Sequence, residues 1–336
     1  MSTRLGLTVP VAGESLSELP AILVDAEAAG YSDIWTSEVA AADAFTPLVL
    51  TAATHPGFRL GTAIASAFIR SPALLAMNAA ALADIGSSEV LVGIGASSDI
   101  MVSRWHGIPF DHPYRRVQDV LRFVRRALSG ERVSFSSDSF DIDGFRLTTV
   151  PSRPPRLLVA ALRERMLRLA GREADGVILN WLSPADVAQV TRPVLEQNPE
   201  AEVVARLFAV VAEDRDQARA FARRQITAYL NVPVYADFHR WLGRTEALTP
   251  MWQAWAAGDR AAAVAAVPSS LVDELFLTGT PADIAAGVAD YVRAGITTPV
   301  LSIMSPTGTG SLSWVSRLGA SISDPAEPAG TADGAS

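Results

Sequence analysis

The sequence predicts a (β/α)8 barrel, and three observations lead there. Short, almost wholly apolar strand-like runs alternate with longer amphipathic runs along most of the 336 residues. Apolar runs of that kind belong to parallel strands buried on both faces, not to a half-solvated antiparallel sheet. A local pattern also recurs, in which a helical run ends at Ala-Gly and a strand begins a few residues later: Gly30 before Ile34, Gly171 before Val177, Gly295 before Val300. About eight such units favour a closed barrel over an open doubly wound sheet, and the chain is long enough for eight units with insertions.

The elements follow in order. Arg4–Val9 reads as the first strand. Ser15 and Glu18 stand at capping-box spacing before a helix ending at Gly30. Asp33–Ser37 is the second strand, a helix follows near Pro47–Ala53, and Arg59–Ala65 is the third strand. Ser71-Pro72 is an N-cap and N1 pair that opens a helix through Leu82. Ser88–Ile94 is the fourth strand and Tyr114–Ala127 the next helix. Gly130–Leu147, rich in Ser, Asp, Phe and Gly, reads as a β-hairpin inserted after them. The repeat resumes with strand Pro154–Ala160, helix Arg163–Ala170, strand Gly176–Asn180 and helix Pro184–Leu195. Strand Val203–Val211 and helix Arg215–Leu230 come next, then an aromatic, helical insertion over about 231–270, between the seventh and eighth strands. Thr280-Pro281 opens another helix and Thr298–Met304 is the last strand. The expected organisation is one domain over 1–321 and a disordered tail over 322–336, where Pro, Gly, Ala and Asp dominate.

Composition narrows the chemistry. Apolar residues make up 49% of the chain, enough for a large core. No apolar run approaches the roughly 20 residues of a membrane span. Met1–Leu7 enters strand-like sequence without a basic leader or cleavage site, so the expected setting is the cytoplasm, away from membranes. With 28 basic and 36 acidic side chains the net charge is −8, which lacks the basic footprint of a nucleic-acid binder. Cysteine and lysine are both absent, which removes disulfides, thiolate ligands, Schiff-base lysines and Walker lysines together. The 4 histidines are isolated, and no metal site is expected. A bound organic cofactor would let a chain with so few acid–base groups be an enzyme.

In a barrel, chemistry sits where strands meet the loops of the C-terminal face. That rule selects Glu38, residues 64–68, 95–98, 162–163, 180–181 and Ser305. Gly93-Ile94-Gly95-Ala96-Ser97-Ser98 either cradles a phosphate with backbone N–H groups or is a tight turn packed on a neighbour. It is not a dinucleotide fingerprint, because Ser98 replaces the third Gly and the segment follows the fourth strand.

Leu60-Gly-Thr-Ala-Ile-Ala-Ser-Ala-Phe-Ile-Arg-Ser-Pro-Ala73, Ala79-Ala-Ala-Leu-Ala-Asp84 and Val90-Leu-Val-Gly-Ile-Gly-Ala-Ser97 resemble the luciferase-like monooxygenases, in the branch that uses the deazaflavin F420. Ala26-Glu-Ala-Ala-Gly-Tyr-Ser-Asp-Ile-Trp-Thr-Ser-Glu38, Leu158-Val-Ala-Ala-Leu-Arg-Glu-Arg-Met166 and Leu169-Ala-Gly-Arg-Glu-Ala-Asp-Gly-Val-Ile-Leu179 support it. The resemblance runs from Leu5 to about Met304, and the order of these segments is more specific than any one of them.

The resemblance implies a ring-shaped cofactor over the barrel mouth and a non-proline cis peptide at Ala63–Ile64, with Ala65 beside it. It implies a cofactor phosphate at Gly95, Ala96, Ser97 and Ser98, and further cofactor contacts at Ala161, Leu162, Arg163 and Asn180. Arg163 either pairs with an anion or is the exposed first turn of a helix. An Asp-His pair found after the second strand in some relatives is replaced here by Glu38-Val39, and the Glu expected after the phosphate turn is replaced by Ser98. These departures argue against sugar-phosphate dehydrogenation. Glu38 is the candidate acid or base, or else a salt-bridged carboxylate. His106 in Trp105-His106-Gly107 is a candidate proton donor or an exposed loop histidine. Trp105 and Trp181 are candidate walls of the substrate pocket, or packing residues. Tyr235, Phe238, His239, Trp241, Trp252 and Trp255 form a lid, a dimer surface or a satellite core, the last being favoured.

The expected function is hydride transfer between F420 and a small organic substrate, and the resemblance implies a homodimer. The alternatives are an FMN-dependent monooxygenase fed by a separate reductase, a non-catalytic flavin- or deazaflavin-binding protein, and a cofactor-free structural barrel. Deazaflavin has carbon where flavin has N5 and does not form an oxygen adduct, so the first two chemistries separate.

Overall fold

The computed structural model describes residues 4–86, 88–308 and 312–323. Its strands are β1 (Gly6–Val9), β2 (Asp33–Thr36), β3 (Arg59–Ser66), β4 (Val90–Gly95), β5 (Val133–Ser136), β6 (Asp141–Phe145), β7 (Arg156–Ala160), β8 (Gly176–Leu179), β9 (Glu202–Val210), β10 (Phe276–Thr278) and β11 (Thr298–Met304). Strands β1, β2, β3, β4, β7, β8, β9 and β11 pair in parallel in that order, and β11 returns to β1, so the barrel closes. β5 and β6 form the antiparallel hairpin expected after the fourth strand. β10 pairs with β9 above the point where β8 stops.

The helices are α1 (Leu19–Ala28), α2 (Thr46–Thr54), α3 (Pro72–Ile85), α4 (Pro113–Leu128), α5 (Glu164–Glu173), α6 (Val187–Leu195), α7 (Arg215–Leu230), α8 (Pro233–Trp241), α9 (Thr245–Ala256), α10 (Arg260–Ala265), α11 (Ser269–Leu275), α12 (Pro281–Arg293) and α13 (Leu312–Ser323). Among the described residues no helix is long and apolar enough to cross a membrane. Ser71 caps α3 by accepting from Leu74 N, and Thr280 and Asp283 form a reciprocal capping box on α12. Ser15 instead opens a single 3-10 turn, Leu16–Glu18, and accepts from Ser17, so its spacing to Glu18 is not a capping box. Gly30 and Gly295 lie in the left-handed region after their helices, as the Ala-Gly pattern implies. Gly171 does not: α5 runs on to Glu173, and a Cβ at Gly171 would lie 2.6 Å from the Val194 carbonyl oxygen, so this glycine allows α6 to approach. Of the tail expected over 322–336, residues 324–336 lie outside the described residues, and Ile322 and Ser323 end α13.

Strand residues alternate between the helices and the lumen. Trp35, Ala63, Leu91, Leu158, Ile178, Val204 and Val300 form the lumen core. Trp35 is the largest of them and fits because its neighbours on β1 and β3 are Gly6 and Gly61. Below this layer, at the N-terminal end, Arg59 Nε donates to Asp33 Oδ2 at 2.8 Å. Its Nη2 meets Asp33, Glu202 Oε1 at 2.7 Å and Thr298 Oγ1 at 3.2 Å. Burial opposes these charges, yet the mutual pairing raises the Arg59 pKa and holds Glu202 below the usual carboxylate range.

A methyl group at position 61 would lie 2.3 Å from the Trp35 ring, while one at Gly57 meets nothing closer than 3.9 Å. Gly61→Ala is expected to lower unfolding stability by about 1–3 kcal/mol through overpacking. Gly57→Ala is the near-neutral control. Urea denaturation of both variants checks this, and equal midpoints would refute the packing account.

Candidate active site

The loops after β2, β3 and β4 are tied together at the C-terminal mouth. The Ala63–Ile64 peptide is cis, as the resemblance implied. The Ile64 carbonyl accepts from Glu38 N at 3.3 Å, and a Cβ on Gly95 would come within 3.0 Å of the Ile64 side chain and 3.1 Å of the Ala160 methyl, so both crowd Gly95. Ala67 N donates to the Gly95 carbonyl at 2.9 Å. Ala63, Ile64, Ala65 and Gly95 are therefore brought together with the end of β7.

The Glu38 carboxylate is fully engaged. Oε1 accepts from Arg70 Nε at 3.0 Å, Arg70 Nη2 at 2.5 Å and Ala44 N at 3.3 Å, and Oε2 accepts from Ser66 N at 3.1 Å. Arg70 also reaches Asp43 at 3.1 Å and Asn78 at 3.1 Å. These contacts describe the salt-bridged alternative, with Glu38 spanning the β2 and β3 loops.

In the turn after β4, Ala96, Ser97 and Ser98 are half-buried, and Ser97 has φ 65°, a conformation found in backbone anion nests. Its Oγ lies 3.4 Å from Met101 Sδ. A π-helical turn, Ile100–Trp105, follows where a loop was expected. Trp105 is 55% exposed and His106 is exposed, so both face solvent. After β7, Ala161 is buried and Leu162 half-buried. Arg163 is the exposed N-cap of α5 and pairs with Asp237 of α8 at 3.1 Å.

The other side of the mouth is aromatic. Trp181, directly after Asn180, is 2% exposed with φ 55°. Its ring lies 4.6 Å from Phe208, 4.8 Å from Tyr229, 6.1 Å from Tyr235 and 5.7 Å from Phe276. Tyr235, Trp252 and Trp255 join this satellite core under α7–α11, whereas Phe238 and Trp241 belong to the main core. His239 is fully buried, and among the described residues neither ring nitrogen has a hydrogen-bond partner.

One lumen residue was not singled out from the sequence. Arg206 on β9 sits between Val204 of the lumen core and Phe208 of the aromatic group. Among the described residues its side chain makes one long hydrogen bond, from Nη2 to Ser302 Oγ at 3.4 Å, and its buried Nε has no partner. Burial with no carboxylate to offset it lowers the Arg206 pKa. The signal was in the sequence: an arginine at an inward position of the otherwise apolar run Val203–Val211.

The luciferase-like monooxygenase family profile matches residues 2–298. The chain belongs to this family. A luciferase-like relative, the 5,10-methylenetetrahydromethanopterin reductase of Archaeoglobus fulgidus, is 25% identical, covering 88% of this chain and 92% of its own. A putative coenzyme F420-dependent oxidoreductase of Mycobacterium tuberculosis is 24% identical, covering 89% and 94%. The solved coenzyme F420 dependent tetrahydromethanopterin reductase from Methanopyrus kandleri shares the fold, with a TM-score of 0.75 and 20% identity over 95% of this chain and 98% of its own.

In this luciferase-like barrel the buried ionisable groups separate into two kinds. Arg244 is paired with Asp186 at 2.9 Å and Glu274 at 3.0 Å, while His239 beside them is kept neutral. Burial, reinforced by the Arg244 charge, pushes His239 down from 6.5 to about 4. Between those values the unfolded chain binds a proton that the folded chain refuses, so stability is full above pH 6.5 and falls as the pH drops toward 4. The loss attributable to this group is at most ~3 kcal/mol. His239→Leu should remove that part of the slope. Denaturation midpoints of both proteins from pH 7.5 to 4.5 (roughly the window of an unperturbed histidine) measure it, and parallel profiles would exclude His239 as the cause.

Proposed function

We propose that this protein is an F420-dependent oxidoreductase that transfers a hydride between the deazaflavin and a small organic substrate. The observation that carries this reading is the cis Ala63–Ile64 peptide, with the Ile64 side chain beside Gly95, at the mouth of a luciferase-like barrel. The full-length relative described as a putative F420-dependent oxidoreductase supports deazaflavin over flavin.

The residues present fit a flat ring with an anionic tail. Small side chains at Ala63 and Ala160, both in the lumen layer, leave room at the mouth beside the cis peptide. The half-buried turn after β4, with Ser97 at φ 65°, has the backbone conformation that receives an anionic tail. Ala63, Ile64 and Ala65 would hold the ring face. Gly95, Ala96, Ser97 and Ser98, with Ala161, Leu162, Arg163 and Asn180, would hold the polar tail. When bound, F420 supplies the carbon that carries the hydride.

The chain's own residues orient and enclose. Glu38 positions the ring site, because its backbone N–H holds the Ile64 carbonyl and its carboxylate holds Ser66 and Arg70. Trp181, Phe208 and Tyr235 wall the substrate side and exclude water there. Titrating the protein with oxidised F420 and, separately, FMN while following cofactor fluorescence tests the assignment. Micromolar or tighter binding of F420 with weaker FMN binding is expected. Preference for FMN would replace hydride transfer by flavin chemistry, and binding of neither would end the reading.

The homodimer belongs to the same proposal. Val49 and Leu50 on α2 and Leu74 and Met77 on α3 are large apolar side chains left 36%, 43%, 43% and 52% exposed. α2 and α3 are neighbours in the ring of helices, so these residues support a shared face that a second copy covers. Light scattering should give a dimer mass for the wild type and a monomer mass for Leu50→Glu/Met77→Glu. A monomeric wild type at micromolar concentration would rule the dimer out.

A further inference from the structure

The barrel lumen holds two arginines, Arg59 buried and Arg206 half-buried, with opposite electrostatic circumstances. Arg59, at the N-terminal floor, touches two carboxylates, Asp33 and Glu202. Arg206, nearer the mouth, has no carboxylate within 4.0 Å among the described residues. Leu179 pairs with Ala205, so Arg206 is level with Asn180, the first residue after β8. It therefore stands at the base of the mouth, and its side chain is still partly exposed.

Its surroundings are polar on one side and aromatic on the other. Val300 of β11 pairs with both Arg206 and Gly6. One inward step higher on these strands are Ser302, which accepts from Arg206, and Thr8, whose buried hydroxyl has no partner. Phe208 is the next inward residue on β9, and its ring centre lies 5.7 Å from the Arg206 guanidinium carbon. Trp181 and Tyr229 lie beyond it. An unpaired, half-desolvated cation destabilises a fold, and the described residues offer it no anion within salt-bridge distance.

We infer that Arg206, with Ser302 and Thr8, is the anion subsite of the substrate pocket, and that the substrate is a small organic acid whose carboxylate meets Arg206 while its apolar body lies along Phe208, Trp181 and Tyr229. The guanidinium fork suits a carboxylate, and a charge-assisted pair in a walled lumen is stronger than one at the surface. The assignment rests on the hydride-transfer reading for its chemistry but not for its binding.

Binding is therefore measured first without cofactor, on the whole protein. The probes are benzoate and trans-cinnamate, each against its uncharged amide, followed by tryptophan fluorescence and thermal shift. The wild type should bind at least one acid about tenfold or more tighter than its amide. Arg206→Met should bind acid and amide alike, and Arg206→Lys should retain part of the preference. F420 affinity of Arg206→Met should stay near the wild-type value. Its thermal midpoint should match or exceed that of the wild type, whereas a purely structural arginine predicts a fall. Equal binding of acids and amides by the wild type, or an acid preference that survives Arg206→Met, would overturn the subsite. Loss of F420 binding in Arg206→Met with no acid preference in the wild type would assign Arg206 to the cofactor and overturn it too. Acid binding through Arg206 in a protein that does not bind F420 would uphold the subsite and remove only the hydride-transfer reading.

Discussion

Arg59 lies 5% exposed beneath the lumen, with Asp33 of β2, Glu202 of β9 and Thr298 of β11 gathered around its guanidinium. Thr298 also donates to Glu202 at 2.7 Å, and Arg156 of β7 pairs with the other Glu202 oxygen at 2.6 Å. The network thus spans β2, β3, β7, β9 and β11, which come from both halves of the chain. A buried charge set of this kind contributes little net stability, but leaving one member unpaired costs about 3–5 kcal/mol. It penalises any register in which these strands do not meet at one level, and the lumen layers above, from Trp35 up to Arg206, depend on that register.

The mouth is organised by hydrogen bonds between loops. Glu38 links β2 to the cis peptide within β3, Ala67 links the loop after β3 to Gly95 of β4, and Arg116 of α4 donates to the Ala67 carbonyl at 2.9 Å and the Ser139 carbonyl at 2.6 Å. The hairpin after α4 is thereby tied back to the β3 loop. Loops fixed to one another in this way hold backbone groups in place before a ligand arrives, which lowers the ordering cost of binding.

The opposite wall has a different origin. It is apolar packing, in which α7–α11 and β10 form a second core against Trp181 and Phe208. β10 takes the edge of β9 that β8 leaves free, so the aromatic group begins where the barrel proper ends. Trp252 Nε1 is satisfied by the Leu230 carbonyl at 2.9 Å, and Arg240 and Arg260 cover Trp252 and Trp255. His239 stays neutral in this setting, because burial and the Arg244 charge outweigh the pull of Asp186.

Much of the fold was legible because buried parallel strands have an unambiguous local signature. Thr298–Met304 is found as read, Asp33–Ser37 loses one residue, and the caps at Ser71 and Thr280 do what Ser-Pro and Thr-Pro imply. The family resemblance, not any local rule, pointed to the cis bond at Ala63–Ile64. Local sequence could not say whether Glu38 is paired or free, since its partner Arg70 comes from another loop. Nor could it separate Arg59 from Arg206: each is an arginine in an apolar strand. Only the closed ring, which brings Asp33, Glu202 and Thr298 to Arg59 and leaves Arg206 facing Ser302 and Phe208, decides which cation is neutralised by the protein and which is left for a ligand.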